Sequence, residues 1–215
     1  MKKTYSISGR LRFLVYNLLR LTTFFGSKAL LFKVKVKGRH NIPKKDAYII
    51  ASNHVGHLDP YILGTIFPRH MCYMTNPGQF KMPLWGRTLA FIETIDAGGF
   101  SGMRIALKRL GEGRIVVFFP QGERVKNTII ESAKPGVGAS ALWTGLEVLP
   151  VRISGTDTAL NIRTAVIRPG SIIEVIIGEP MKFDSLDYEG RISKSARKVT
   201  DVIVKKINSL ADANV

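Results

Sequence analysis

Apolar and polar positions change along this chain in short blocks, and each block has a recognisable period. From Lys33 to Lys37 the order Lys-Val-Lys-Val-Lys alternates strictly, which predicts a strand with one wet face, stopping at Gly38. After the turn residues Asn41 to Asp46, Ala47-Tyr48-Ile49-Ile50-Ala51 is a continuous apolar run, the pattern of a strand covered on both faces. Met71 to Thr75, Phe91 to Ile95, Arg114 to Phe118, Val148 to Ile153, Ala165 to Ile167 and Ile172 to Ile177 are further strand-length segments. Helical spacing separates several of them. Asp59-Pro60 reads as a helix start, with Asp at the N-cap and Pro at the first helical position, followed by Tyr61, Ile62, Leu63, Ile66 and Phe67. Phe80 to Gly86 predicts an irregular or briefly helical piece. From Gly102, Met103, Ala106, Leu107 and Leu110 form a stripe closed by Gly111 and Gly113. Pro135 to Gly145, rich in Gly and Ala, predicts a closely packed helix, and Ile192, Ala196, Val199, Ile203, Ile207 and Leu210 a terminal amphipathic one. The alternation predicts a mixed α/β fold: a partly parallel sheet flanked by helices.

The first 33 residues follow a different pattern. Leu11, Phe13, Leu14, Val15, Leu18, Leu19, Phe24, Phe25, Leu30 and Leu31 are interrupted by Arg10, Arg12, Arg20 and Lys28. A spanning helix needs about 20 predominantly apolar residues, and Arg20 falls near the middle of this stretch. A signal peptide fits poorly, because no small-residue cleavage site follows a compact apolar core. The reading that uses both the charges and the aromatics is a pair of short helices, broken near Gly26, lying in the membrane interface. The alternative is an amphipathic helix docked on the protein's own core. Residues 1–33 are thus expected to be a membrane-association segment, and 34–215 the catalytic-size domain.

Composition sharpens the choice of partner. With 215 residues, 45% of them hydrophobic, one full core is available. The single Cys72 excludes an internal disulfide and sits in the apolar run Met71 to Met74, as a buried structural thiol would. The net charge of +16, from 32 basic and 16 acidic residues, favours anionic partners. Zinc-finger spacing, an RNP-like aromatic strand and a long basic helix are missing, so no nucleic acid is expected and the charge is assigned to lipid headgroups and anionic substrates. The expected location is peripheral or monotopic at the cytoplasmic face of a membrane.

The chemistry concentrates in two stretches. Ser52 to Pro60 places His54 and Asp59 five residues apart at a strand-to-helix junction. Inside a regular helix two such residues would point about 140° apart, so the pair can meet only if the backbone breaks between them, and Gly56 supplies the break. A histidine oriented by a carboxylate is a general base for a hydroxyl. No serine or cysteine stands in a G-x-S-x-G elbow, so the hydroxyl would belong to the substrate. The second stretch, Phe118 to Arg124, brings a glycine turn and a guanidinium to the end of another apolar strand, a setting in which Arg124 is a ligand-binding candidate. His57 could join His54 and Asp59 as a metal set, although nothing else in the chain suggests a metal, and none is expected.

Asn53-His54 through Asp59 resembles the NHxxxxD motif of the glycerolipid acyltransferases, the family that includes 1-acylglycerol-3-phosphate acyltransferases. Phe119-Pro120-Gln121-Gly122-Glu123-Arg124 is similar to that family's FPEGTR motif, and Leu149-Pro150-Val151-Arg152-Ile153 to its later apolar-Pro-apolar motif. The resemblance implies that His54 is the general base and Asp59 its partner. It also implies that Asn53, Pro120, Gln121, Gly122, Glu123 and Arg124 form the acceptor's binding surface. The expected reaction is transfer of a fatty acyl group from acyl-CoA or acyl carrier protein, a co-substrate rather than a cofactor, to a lysophospholipid hydroxyl. The acceptor implied is 1-acylglycerol-3-phosphate and the product phosphatidate. Two positions depart from the family pattern: Gln121 stands where Glu is usual, and Ala97 where Arg is usual. One phosphate-binding cation is therefore missing, with Arg104, Lys126 and Lys134 as candidates to replace it. A same-family enzyme acting on another lysolipid or an aminolipid is the alternative, and a non-catalytic lipid- or nucleic-acid-binding protein the second.

Overall fold

A computed structural model of the chain describes residue 18 and residues 32–44, 46–81, 94–125, 127–161, 166–184 and 192–211. The expected interface helices of residues 1–33 thus lie almost wholly outside the described residues, as do Lys126 and positions 91–93 of the expected strand. Among the described residues no helix is long and apolar enough to cross a membrane.

Seven strands form one sheet: β1 (Phe32–Lys37), β2 (Ile49–Ser52), β3 (Met71–Thr75), β4 (Ile95–Asp96), β5 (Ile115–Phe118), β6 (Val148–Ser154) and β9 (Ser171–Ile177), the last following a small hairpin of β7 (Leu160–Asn161) and β8 (Val166–Ile167). Their spatial order is β1-β9-β6-β2-β5-β3-β4. From β6 to β4 every pairing is parallel, and the single reversal falls between β6 and β9. The continuous apolar runs occupy the middle of the sheet: β2 and β5 are buried along their whole length. The alternating Lys-Val strand β1 lies at an edge, paired in parallel with β9, where one of its faces stays wet.

Because side chains alternate across a strand, the sheet divides the core in two. Tyr48 and Ile50 of the β2 region pack with Ile62, Leu63, Ile66 and Phe67 from α1 (Asp59–Ile66) and its end. Ile49 and Ala51 face the other way, against Ala106 and Leu110 of α2 (Gly99–Gly111), Val137 and Ala141 of α3 (Gly136–Thr144), and Val199, Ile203 and Ile207 of the terminal helix α5 (Ile192–Ser209). The remaining helix, α4 (Thr156–Ala159), is one turn after β6. The small residues of α3 let α5 come close enough for the Gly138 N–H to donate to Thr200 Oγ1 at 3.1 Å. Cys72 is fully buried in this second layer. Trp143 is exposed on the outer face of α3, and His70 is half-buried beside Arg114.

Neighbouring parallel strands end on the same edge of a sheet, so the loops that follow them meet. Here β6, β2 and β5 are consecutive neighbours. Register pairs Ala51 with Phe118 on one side and Ser52 with Val151 on the other. The segments beginning at Asn53, Phe119 and Gly155 are thereby brought together.

Candidate active site

At the end of β2 the chain leaves the sheet and turns through Val55 and Gly56 before entering α1. Asp59 is the first residue of α1, after an N-cap at Leu58, and its carboxylate makes no cap bond to the helix. The expectation that Asp59 caps α1 is therefore corrected. Its Oδ2 turns back to the preceding loop, accepting the N–H groups of Val55 (2.8 Å) and Gly56 (2.9 Å) and the Nδ1 of His54 (2.7 Å). Its Oδ1 accepts the hydroxyl of Thr156, from the start of α4. Asp59 is completely buried, and a buried carboxylate is costly unless its lone pairs are used. Four donors use them here. Gly56 is needed for space, since a Cβ there would lie 2.6 Å from Thr156 Oγ1 and 2.8 Å from the backbone of residues 156 and 157.

In the neutral ring, a carboxylate opposite Nδ1 favours the tautomer that carries the proton on that nitrogen and the lone pair on Nε2. The His54 ring is stacked on Phe119, with centroids 4.1 Å apart and planes inclined by 20°. Its side chain is 11% exposed, so the ring is not wholly sealed from solvent. The His54 backbone is bound on both sides by the second motif: its N–H donates to Gln121 Oε1 (2.8 Å) and its carbonyl accepts the Val125 N–H (3.1 Å). The Phe119 carbonyl accepts the Gly122 N–H at 2.9 Å, closing a turn in which Gly122 has φ +77, a conformation that costs glycine little. Gly122, Glu123 and Arg124 are exposed, and Pro120 is buried under them. The Gln121 Nε2 is buried without a hydrogen-bond partner among the described residues. A glutamate there would accept the His54 N–H equally well and leave no unpaired donor.

His57, half-buried beside this turn, has its imidazolium disfavoured first by burial and then by the charge of Arg124, with Asp59 opposing. Arg124 is thus near enough for its charge to reach the loop that carries the dyad.

Asn53, expected at the acceptor's surface, is fully buried. Its amide donates to the Ile153 carbonyl (2.8 Å) and to the Thr128 carbonyl (3.3 Å), and accepts the Ile153 N–H (2.7 Å). Arg152 holds the same Thr128 through its carbonyl and its hydroxyl. The side chain is spent on joining the end of β2 to β6, with nothing left for a substrate. Asn53→Ala is expected to cost about 2–4 kcal/mol, because it leaves two buried backbone groups unpaired, and to leave the KM of an acceptor unchanged in whatever protein folds. Denaturant unfolding and steady-state kinetics check the two halves separately.

Sequence reasoning did not find Thr156. It lies far along the chain from Asp59, and a Gly-Thr pair after a strand carries no signal until β6 is known to lie beside β2.

A buried carboxylate, an imidazole oriented by it and an exposed guanidinium stand together at the carboxyl edge of a parallel sheet, an arrangement able to take a proton from a hydroxyl. The sequence model of the Acyltransferase family matches residues 33–154, more than half of the chain, and the chain belongs to that family. It is similar to the chloroplastic 1-acyl-sn-glycerol-3-phosphate acyltransferase of Arabidopsis thaliana, at 26% identity over 170 residues, covering 74% of this chain and 48% of that protein. The 1-acyl-sn-glycerol-3-phosphate acyltransferase of Borreliella burgdorferi is 26% identical over 187 residues, covering 83% of this chain and 73% of its own length. The chain spans about half the length of the Arabidopsis and Chlamydomonas reinhardtii relatives it matches. In three dimensions it is similar to the crystal structure of the 1-acyl-sn-glycerophosphate acyltransferase PlsC from Thermotoga maritima. The TM-score is 0.75 at 21% identity, over 98% of this chain and 86% of that one, so the two share a fold.

Proposed function

We propose that this chain is a membrane-associated O-acyltransferase that acylates 1-acylglycerol-3-phosphate to phosphatidate, with a thioester of CoA or of acyl carrier protein as donor. The observation that carries the reading is the His54–Asp59 pair, with Nδ1 held at 2.7 Å by a buried carboxylate and the other ring nitrogen left available. His54 Nε2 takes the proton of the acceptor hydroxyl while its oxygen bonds to the thioester carbonyl carbon. Asp59 stabilises the imidazolium so formed. The tetrahedral oxyanion then collapses, the C–S bond breaks, and the imidazolium returns its proton to the departing thiolate. Arg124, by forking a phosphate, and Gly122, by admitting it close to the backbone, hold the acceptor's head. Pro120, Gln121 and Glu123 shape the turn that presents them. A net charge of +16 and the basic, apolar residues 1–33 support attachment to an anionic membrane surface, with the cytoplasmic face as the side proposed.

Ala97, exposed at the end of β4 with no charge to offer, favours a second reading: an acceptor whose headgroup needs fewer cations. Purified protein on vesicles, given acyl-CoA or acyl carrier protein thioester and a panel of lysophosphatidate, zwitterionic lysophospholipids and an aminolipid, separates the two. Fastest turnover of lysophosphatidate is the expected result. Preference for a zwitterionic lysolipid or an aminolipid would replace the acceptor, and the absence of acyl transfer to any of them would overturn the enzymatic reading.

A further inference from the structure

The Gly122 turn does not stand alone at the mouth of the site. The backbone at Lys134 is pinned to it: the Lys134 N–H donates to the Pro120 carbonyl at 2.7 Å, and the preceding Ala133 carbonyl accepts Arg197 from α5 at 2.9 Å. From there the lysine side chain reaches across the turn and lies on Gly122. A Cβ built at Gly122 would meet Lys134 Nζ at 2.7 Å, Cε at 2.8 Å and Cδ at 3.0 Å. The end of the lysine occupies the space that any other residue's side chain would fill. Glycine is called for at 122 by its positive φ, since the flexible end of a lysine can swing aside.

Resting on the acceptor reading above, we propose that Lys134 is the second cation of the headgroup site, acting with Arg124 across Gly122 to receive the acceptor's phosphate monoester. Both side chains are exposed, and among the described residues neither makes an ion pair. Two cations held at one turn, neither of them ion-paired to the neighbouring Glu123, repel each other, and an anion between them removes the repulsion. A phosphate monoester carries about −1.5 to −2 charge at pH 7 and has three acceptor oxygens, enough for a bidentate guanidinium and a point-like ammonium together. The turn they flank is tied to His54 by the Gln121 and Val125 hydrogen bonds, so a phosphate held there keeps the rest of the acceptor near the imidazole. Lys134 would therefore supply the charge that Ala97 does not. A site with one cation would distinguish charged from uncharged acceptors weakly, and a site with two strongly.

The test compares wild type, Lys134→Ala and Lys134→Arg, with lysophosphatidate and with an uncharged monoacylglycerol as acceptors, beside equilibrium binding of soluble glycerol 3-phosphate. Lys134→Ala is expected to raise the KM for lysophosphatidate by about tenfold or more, with kcat changed by less than about threefold, and to weaken glycerol 3-phosphate binding similarly. The monoacylglycerol KM should not move, and Lys134→Arg should recover most of the loss. Thermal midpoints report whether the alanine variant is folded, and if it is not, the arginine and wild-type proteins compared at rising salt still read the charge. An unchanged lysophosphatidate KM, or an equal rise for both acceptors, overturns the role of Lys134 while leaving the acyltransferase reading intact. If instead no lysophosphatidate is turned over but glycerol 3-phosphate binding depends on Lys134, the cation pair holds and the acceptor assignment fails.

Discussion

His54→Ala is expected to lower kcat by about 10³-fold, within the range that a positioned general base contributes, while the protein remains folded. The fold survives because the ring's main contacts are a stack on Phe119 and one bond to Asp59, and Asp59 keeps three other donors, from Val55, Gly56 and Thr156. The buried carboxylate is not orphaned by losing the imidazole. A loss of about 1–3 kcal/mol from the stack and the vacated space is expected in denaturant unfolding. The KM for lysophosphatidate should change little, since the headgroup site proposed at Gly122, Arg124 and Lys134 does not include the imidazole. Turnover within tenfold of wild type would remove His54 from the reaction.

Asp59→Asn separates charge from geometry. An amide cannot place its NH2 in the Oδ2 position, where it would face the Val55 and Gly56 N–H groups, so it turns that group to the Oδ1 side. There the Thr156 hydroxyl can rotate to accept instead of donating. His54 keeps a hydrogen-bond acceptor at Nδ1, but the negative charge that stabilises its imidazolium is gone. The expected outcome is a fall in kcat on the order of 10³-fold, with a stability loss of about 1–2 kcal/mol. Thr156→Val in the same background removes the rotating hydroxyl and should add to the stability loss by leaving the asparagine NH2 unpaired. Activity, together with urea unfolding of the two variants, reads both effects. An Asp59→Asn enzyme within tenfold of wild type would show that the carboxylate orders the loop and takes no part in the chemistry.

The legible part of this protein is the part built by neighbours in the chain. Strand-length apolar runs and helical stripes locate β2, β3, β5, β6, β9, α2, α3 and α5 within a residue or a few, since burial on one face or two leaves a periodic imprint. The His54–Asp59 pair is legible because both residues belong to one strand-turn-helix unit whose glycine and Asp-Pro signals lie in the same few positions. The cap was misread because Asp-Pro carries the same signal whether the carboxylate turns forward to its helix or back to its loop. The histidine five residues earlier decides the direction.

Asn53, Thr156, Lys134 and Trp143 show the other limit. Each has a local pattern, but its role depends on which strand or turn lies alongside. The burial of Asn53 follows from β6 pairing with β2, and the contact of Thr156 with Asp59 from the loop after β6 reaching the same edge. Lys134 lies on Gly122 because the Pro120 carbonyl takes its N–H. The order of residues by itself determined the α/β class, most elements and the pairing of His54 with Asp59, all of which depend on periodicity and short-range stereochemistry. Tertiary structure alone decided the strand order, the fourth donor to Asp59, the burial of Asn53 and the placement of Lys134 against Gly122. These are contacts between distant segments, and their free energy comes from pairings that leave no periodic trace in either segment.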